Sequence, residues 1–126
     1  GADEAQALQM ALLGVSTSDH VLARWRDALT TRGYLDSLAL AQCQAGQRAQ
    51  VIGTVVVHQA PPTAKGFHFI TLEDETGMIN VIVRPHLAPL YRERRGGHLL
   101  KVEGVVQHEA GVVNLIATRL TPLLRE

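Results

Sequence analysis

The chain has 126 residues, 46% of them hydrophobic, and its twelve basic side chains are balanced by twelve acidic ones. That length holds one ordinary domain with room for a helical appendage, and that apolar share supplies a packed core and excludes wholesale disorder. The single cysteine, Cys43, excludes an internal disulfide framework and a cysteine-cluster zinc site.

Zero net charge argues against a uniformly basic surface, but the charges are not evenly spread. Residues 1–36 carry net −2, residues 37–71 net +2, residues 72–83 net −3, residues 84–101 net +4 and the remainder net −1. Two basic stretches therefore bracket an acidic turn. No apolar run reaches membrane-spanning length, and the first residues lack the layout of a signal peptide. The expectation is a soluble cytoplasmic chain without a membrane partner.

In chain order, Ala2 to Leu13 is rich in Ala, Gln, Leu and Met and reads as a helix. The run STSDH caps a second helix, Val21 to Thr30, which ends near Gly33. Asp36 or Ser37 caps a third helical turn around Leu38 to Ala41, and AQCQAGQ is a polar connection. From Arg48 the period changes. RAQVIGTVVVHQ is a long β-branched strand, with Gly53 placed where such a strand bends sharply. Pro61 and Pro62 end it. FHFITLE and MINVIVR are the second and third strands, joined by DETG, whose Gly77 suits a tight hairpin. Pro85 opens a helix through PHLAPLYRERR, short or irregular because Pro89 also falls early in it, and stopped by Gly96 and Gly97. HLLKVEGVVQH and GVVNLIATRL close the chain as a hairpin across EAG.

Three strands, a helix and two strands, the first strand long and bent, give the connectivity of an OB-fold. The fold class is therefore mainly β: a five-stranded Greek-key barrel over residues 46–126, preceded by a helical lead-in segment over residues 1–45. A seven-stranded sandwich does not fit in the remaining length.

An OB-fold binds strands of nucleic acid across its second and third strands, flanked by the 1–2 and 4–5 loops. Alternation sorts the side chains there. Ile70, Leu72, Ile79, Val81 and Val83 form the inward rows, leaving Phe67, Phe69, Thr71, Asn80, Ile82 and Arg84 outward. Two aromatics, an amide and an arginine in one row suit base stacking and hydrogen bonding. For Phe67, burial beneath the loop fits the pattern equally well; for Phe69 the ligand face is favoured. Lys65, in the stiff PPTAKG loop, is placed to meet a phosphate, as are Arg92, Arg94 and Arg95 after the third strand. His58, His68, His98 and His108 are too scattered for a metal site and read as isolated surface residues. Glu73, Asp74 and Glu75 read as a solvated hairpin apex in which Asp74 bonds nearby backbone N–H groups. No nucleophile elbow, P-loop or zinc motif is present, so the expectation is no catalytic residue, no metal, no cofactor and no small-molecule substrate.

VVVHQAPPTAKGFHFITLEDETGMINVIVRP, followed by YRERR, LLKVEGVVQHEAGVVNLIA and LTPL, resembles the C-terminal OB domain of bacterial error-prone, C-family (DnaE-type) DNA polymerases. LLGVSTSDH is similar to the segment that leads into that domain, so the resemblance runs from Leu12 to Leu123. It implies a piece of an alpha-like polymerase subunit whose two-metal nucleotidyl-transfer site lies in a separate palm domain. The implied role is contact with single-stranded template DNA during translesion synthesis and DNA repair. FITLEDETGMINVIV also resembles the anticodon-binding OB domains of class II tRNA synthetases, where the positions matching Phe69, Asn80 and Ile82 face RNA. Two departures weaken the implied DNA affinity. His58 and Ala60 stand where the polymerase family usually has arginines, and Arg84 stands where it often has tryptophan. The alternative is a protein-docking OB module for replisome or mutasome subunits, toward which neutral charge points. Gln9 to Leu13 faintly resembles a sliding-clamp-binding pentapeptide, although a buried amphipathic helix is the preferred reading of those residues. A stand-alone RNA-binding protein is the third reading.

Overall fold

A computed structural model describes residues 19–91 and 98–123. The expected helix over Ala2–Leu13, the clamp-like Gln9–Leu13 and the arginines Arg92, Arg94 and Arg95 lie outside those residues.

Three short helices come first: α1 (Asp19–Arg24), α2 (Arg26–Thr31) and α3 (Ser37–Ala41). The single helix expected over Val21–Thr30 is thus broken at Trp25, whose φ of −103° and ψ of 11° leave the helical region. For α3 the cap is Asp36, whose carboxylate accepts the Ala39 N–H at 2.8 Å. This satisfies a backbone donor that the first helical turn would leave without a partner.

Five strands follow: β1 (Arg48–Gln59), β2 (His68–Asp74), β3 (Gly77–Val83), β4 (Leu99–Glu109) and β5 (Val112–Leu123). They close into a barrel in the order β1-β2-β3-β5-β4, with β3 and β5 parallel and the other neighbours antiparallel. β1 belongs to both halves of the barrel. Residues 48–54 pair with β4, and residues from Thr54 to Gln59 pair with β2. Gly53 sits at the changeover, where a Cβ would lie 2.9 Å from the Leu72 Cβ and 3.0 Å from the Glu73 carbonyl oxygen. Only glycine permits that approach. Gly104 does the same on β4, at the bulge opposite β5, where a Cβ would fall 2.3 Å from the Ile116 carbonyl oxygen.

Between β3 and β4 the expected helix is replaced, among the described residues, by a 3₁₀ turn over Ala88–Leu90. Pro89 lies inside that turn. It has no N–H to donate, and its ring disfavours the α region for Ala88, so an α-helix from Pro85 does not propagate.

The barrel interior is filled by the inward rows, with Ile70, Leu72, Ile79, Val81 and Val83 all 2% exposed or less. Burying each such side chain stabilises by about 1.5–3 kcal/mol. A second apolar cluster forms outside the barrel wall. Ile52 and Leu99 face outward there and are covered by Val21, Leu22 and Leu29, with Trp25 and Tyr34 packed alongside. This explains why five consecutive residues of β1, Val51 to Val55, are buried: one face meets the interior and the other meets the helices.

The acidic turn is part of the same packing, which corrects the expectation of a solvated apex. Asp74 is only 3% exposed. Its Oδ1 accepts from Thr76 N at 2.9 Å, Gly77 N at 3.0 Å and Thr76 Oγ1 at 3.0 Å, and its Oδ2 accepts from Ser37 N at 2.8 Å. Glu75 accepts two bonds from Arg26, Nε to Oε2 at 2.5 Å and Nη2 to Oε1 at 2.6 Å. The β2–β3 turn is therefore fastened to the helices by one buried carboxylate and one forked ion pair.

Candidate nucleic-acid interface

The outer face of β2 and β3 is built by register. Thr71 stands opposite Asn80, and Phe69 opposite Ile82. On the other side of β2, Val57 pairs with Thr71 and Gln59 with Phe69. On the other side of β3, Asn114 pairs with Asn80 and Ile116 with Ile82. Partners directly across a ladder share a face. Two parallel rungs thus cross four strands: Val57–Thr71–Asn80–Asn114 and Gln59–Phe69–Ile82–Ile116.

Of the residues singled out from the sequence, Phe69 and Asn80 are exposed on this surface, and Thr71 and Ile82 are half-buried within it. Phe67 is half-buried just before β2, its N–H donating to the Ala64 carbonyl at 3.1 Å. Arg84 is exposed at the end of β3, and Lys65 is exposed in the β1–β2 loop. That loop contains a 3₁₀ turn over Pro62–Ala64 capped by Lys65, which takes the left-handed conformation at φ 54°. The next residue, Gly66, lies against Pro85, to whose Cβ an added Cβ would come within 3.1 Å. The loop therefore abuts the segment that carries Arg84, and both basic side chains belong to one rim of the surface.

Sequence reasoning missed the contribution of β1 and β5. On β1, a bulge between Val55 and Val57 resets the alternation, so Val56 and Val57 are exposed in succession at 44% and 42%. Nothing in VVV marks that break. Asn114 and Ile116 join the surface through a parallel pairing between strands far apart in the chain. Met78, exposed at 58%, continues the outward row of β3 toward the acidic turn. The surface is apolar and amide-rich in its middle, basic at the Lys65–Arg84 rim and acidic at the other end.

The histidines differ from expectation. His58 Nε2 and His68 Nδ1 are 2.7 Å apart across the ends of β1 and β2. Tyr91 Oη and His98 Nε2 are 3.0 Å apart, and the Tyr91 ring meets His58 edge-on at 5.4 Å. His108 donates through Nε2 to the Cys43 carbonyl at 2.8 Å. His58, His68 and His98 are built into one end of the barrel rather than isolated on it, because the end of β1 and the starts of β2 and β4 meet there, whereas His108, at the far end of β4, is exposed and tied to the helical segment by its single bond to Cys43. Among the described residues no group of three or more His, Cys, Asp or Glu could hold a metal ion.

Two ionisable groups are displaced from their ordinary values. Burial alone would raise the Glu75 carboxyl, but the forked bond from Arg26 outweighs it and holds Glu75 below its ordinary range. Burial alone would lower Arg26, and the same pair outweighs it and raises that guanidinium. A shallow cavity of about 250 Å³ lies between Arg48, Gln50, Glu103 and Thr118, and it shares no residue with the two rungs.

Comparison with known proteins agrees with this geometry. Residues 49–123 match the family model described as OB-fold nucleic acid binding domain. The error-prone DNA polymerase of Methylococcus capsulatus is 46% identical over 111 residues, covering 87% of this chain and 11% of that protein. The error-prone DNA polymerase of Pseudomonas aeruginosa is 46% identical over 120 residues, covering 90% of this chain and again 11% of the relative. Among solved structures, the asparaginyl-tRNA synthetase of Pyrococcus horikoshii superposes with a TM-score of 0.59 at 14% identity, over 74% of this chain and 23% of that one. The barrel order, the residues matched and the level of identity agree: the chain belongs to the family of OB-fold nucleic acid binding domains.

Proposed function

We propose that this chain serves as the single-stranded-DNA-binding module of a bacterial error-prone DNA polymerase, holding template during translesion synthesis. The observation that carries the reading is the exposed Phe69–Asn80 surface beside the Lys65–Arg84 rim. Its support is 46% identity to a segment of such polymerases. Bases stack on Phe69 and pack on Ile82, Thr71 and Asn80 supply hydrogen bonds, and Phe67 supports the edge of the surface. Lys65 and Arg84 meet phosphates, joined by Arg92, Arg94 and Arg95. Nucleotidyl transfer belongs to another part of the longer protein, which works in the cytoplasm. Within this reading, residues 1–45 are the lead-in and residues 46–126 the DNA-binding domain.

Fluorescence anisotropy of a labelled single-stranded oligonucleotide tests this. Binding should weaken with salt, with a logarithmic slope of about −0.7 for each phosphate met, so about −1.4 from Lys65 and Arg84 alone. Lys65→Ala should lower the slope by about 0.7. An absence of binding at low salt, or a slope unaffected by Lys65→Ala, refutes the reading.

A second reading, docking onto another polymerase or mutasome subunit, is favoured by Leu38 and Leu90. These are 64% and 79% exposed and lie off the two rungs. Pull-down of replication subunits that is abolished by Leu38→Ser or Leu90→Ser, with no oligonucleotide binding, would replace the first reading by this one.

A further inference from the structure

His58, His68, Tyr91 and His98 close one end of the barrel, at the base of the loop that carries Lys65. His58 stands one residue before the end of β1 and His68 begins β2; their Nε2 and Nδ1 atoms are 2.7 Å apart. The two ring centroids are 4.9 Å apart. His68 shares the inward row of Ile70 and Leu72, and its register partner on β3 is the fully buried Val83. On the barrel side, Tyr91 meets His58 edge-on, and its hydroxyl lies 3.0 Å from His98 Nε2. Tyr91 and His98 are only 5% and 7% exposed. The His58–His68 contact therefore ties together the two strand ends from which residues 60–67 spring, and that loop holds Lys65 in the left-handed conformation.

A hydrogen bond between two imidazole nitrogens requires that one of them carry no proton. While joined, the pair accepts one added proton, on a nitrogen turned away from the contact, but not a second. A second proton sets N–H against N–H and two cationic rings side by side. Among the described residues, the charged and titratable groups on the adjoining segments are Lys65 in the loop, Arg84 and His86 after β3, Tyr91, and His98 before β4. The two with fixed charge, Lys65 and Arg84, are cationic and oppose the second proton further.

We propose that His58 and His68 form a proton-operated latch on the β1–β2 loop, joined near neutral pH and parted once both rings are protonated, which releases the loop that presents Lys65. The joined pair binds fewer protons than the parted rings. The latch is therefore stable above the range in which histidine titrates and weakens as pH falls through it. Tyr91 and His98 fill the barrel side, so the repulsion is relieved outward, in the loop. Closure of the loop is a property of the chain alone and does not depend on whether a single strand binds the neighbouring face.

NMR and hydrogen exchange on the whole chain test this. Isotope-labelled protein at pH 7.5 should show a nitrogen–nitrogen coupling across the His58–His68 bond, lost at pH 5. One proton taken only by the parted rings, each titrating as a free imidazole, raises the opening constant about thirty-fold between pH 7.5 and pH 5. The Ala64 and Phe67 N–H groups donate to the Pro61 and Ala64 carbonyls within the loop. After correction for intrinsic exchange rates, their protection should fall by about that factor, while the backbone amides of Leu72 and Val81, in the middle of β2 and β3, keep theirs. His58→Gln and His68→Gln retain a hydrogen-bonding side chain that takes up no proton, and each should abolish the response; thermal unfolding at pH 7.5 verifies the fold, and either variant suffices. His86→Gln, at an exposed histidine beyond the cluster, should leave the response intact. The latch is overturned by an absent coupling at pH 7.5 or by loop protection that does not change with pH. It is equally overturned by a loss of protection shared with Leu72 and Val81, by a response that survives in a folded glutamine variant of His58 or His68, or by one that His86→Gln also abolishes.

Discussion

Replacing Asp74 by asparagine separates the structural role of the acidic turn from any role in binding. Asp74 is buried and accepts four hydrogen bonds, three on Oδ1 and one on Oδ2. Asparagine has one acceptor oxygen. With that oxygen in the Oδ1 position, the amide nitrogen faces the Ser37 N–H donor to donor; reversed, it faces three donors. The cheaper arrangement loses one hydrogen bond to a charged acceptor, worth about 1.5–3 kcal/mol. It also loses the attraction of Arg26, whose Nη2 lies 3.9 Å from Oδ2. The expected loss is about 2–3 kcal/mol, or roughly 6–15 °C in Tm for a domain of this size. Urea unfolding followed by Trp25, the chain's single tryptophan and part of the helix–barrel cluster, measures it. Oligonucleotide affinity of the folded variant should be unchanged. A stability loss below about 0.5 kcal/mol, the range of ordinary surface substitutions, would refute the assignment of Asp74 as the buried fastener of the turn.

Phe69→Leu keeps apolar bulk but removes the stacking plane, so single-strand affinity should fall by about 1–3 kcal/mol, while unfolding free energy changes by less than about 1.5 kcal/mol; titration and urea unfolding of the same preparation check both. Gly104→Ala puts a Cβ 2.3 Å from the Ile116 carbonyl oxygen, a backbone atom that rotamer changes cannot move aside. It should destabilise by about 1–3 kcal/mol through strain at the β4–β5 bulge, read as a lower Tm. Glu75 is held below its ordinary value of 4.5, so its pairing contributes stability above that pH and loses it as pH falls through the lowered folded value. Glu75→Gln should therefore be less stable than wild type at pH 7, with the gap closing on the acid side of 4.5; a gap that is constant from pH 7 to pH 3 would refute the pairing.

Much of the fold was readable because its signals are local. β1 was marked by its β-branched run, the β2–β3 and β4–β5 hairpins by their turn residues, and α3 by Asp36 as its cap. Phe69, Asn80, Ile82 and Arg84 followed from alternation along two short strands. The helix after β3 was expected to be short or irregular because Pro89 falls early in it, and among the described residues only a 3₁₀ turn forms there. The remaining misreadings share a cause. The acidic triplet looked like a solvated apex because its charge is visible in sequence while its partners, Arg26 and Ser37, come from a separate helical segment. The histidines looked isolated because 10 and 7 residues separate the members of each hydrogen-bonded pair.

The amino-acid sequence by itself determined the strand order, the inward apolar rows and the outward aromatic-amide row, since each follows from side-chain type and a period of two. Tertiary structure decided which strands became neighbours of that row. The bulge at Val56 turned Val57 outward, and the parallel β3–β5 pairing brought Asn114 beside Asn80. Closure of the barrel then completed the surface, because satisfying the backbone groups of every edge strand requires partners that local sequence does not name.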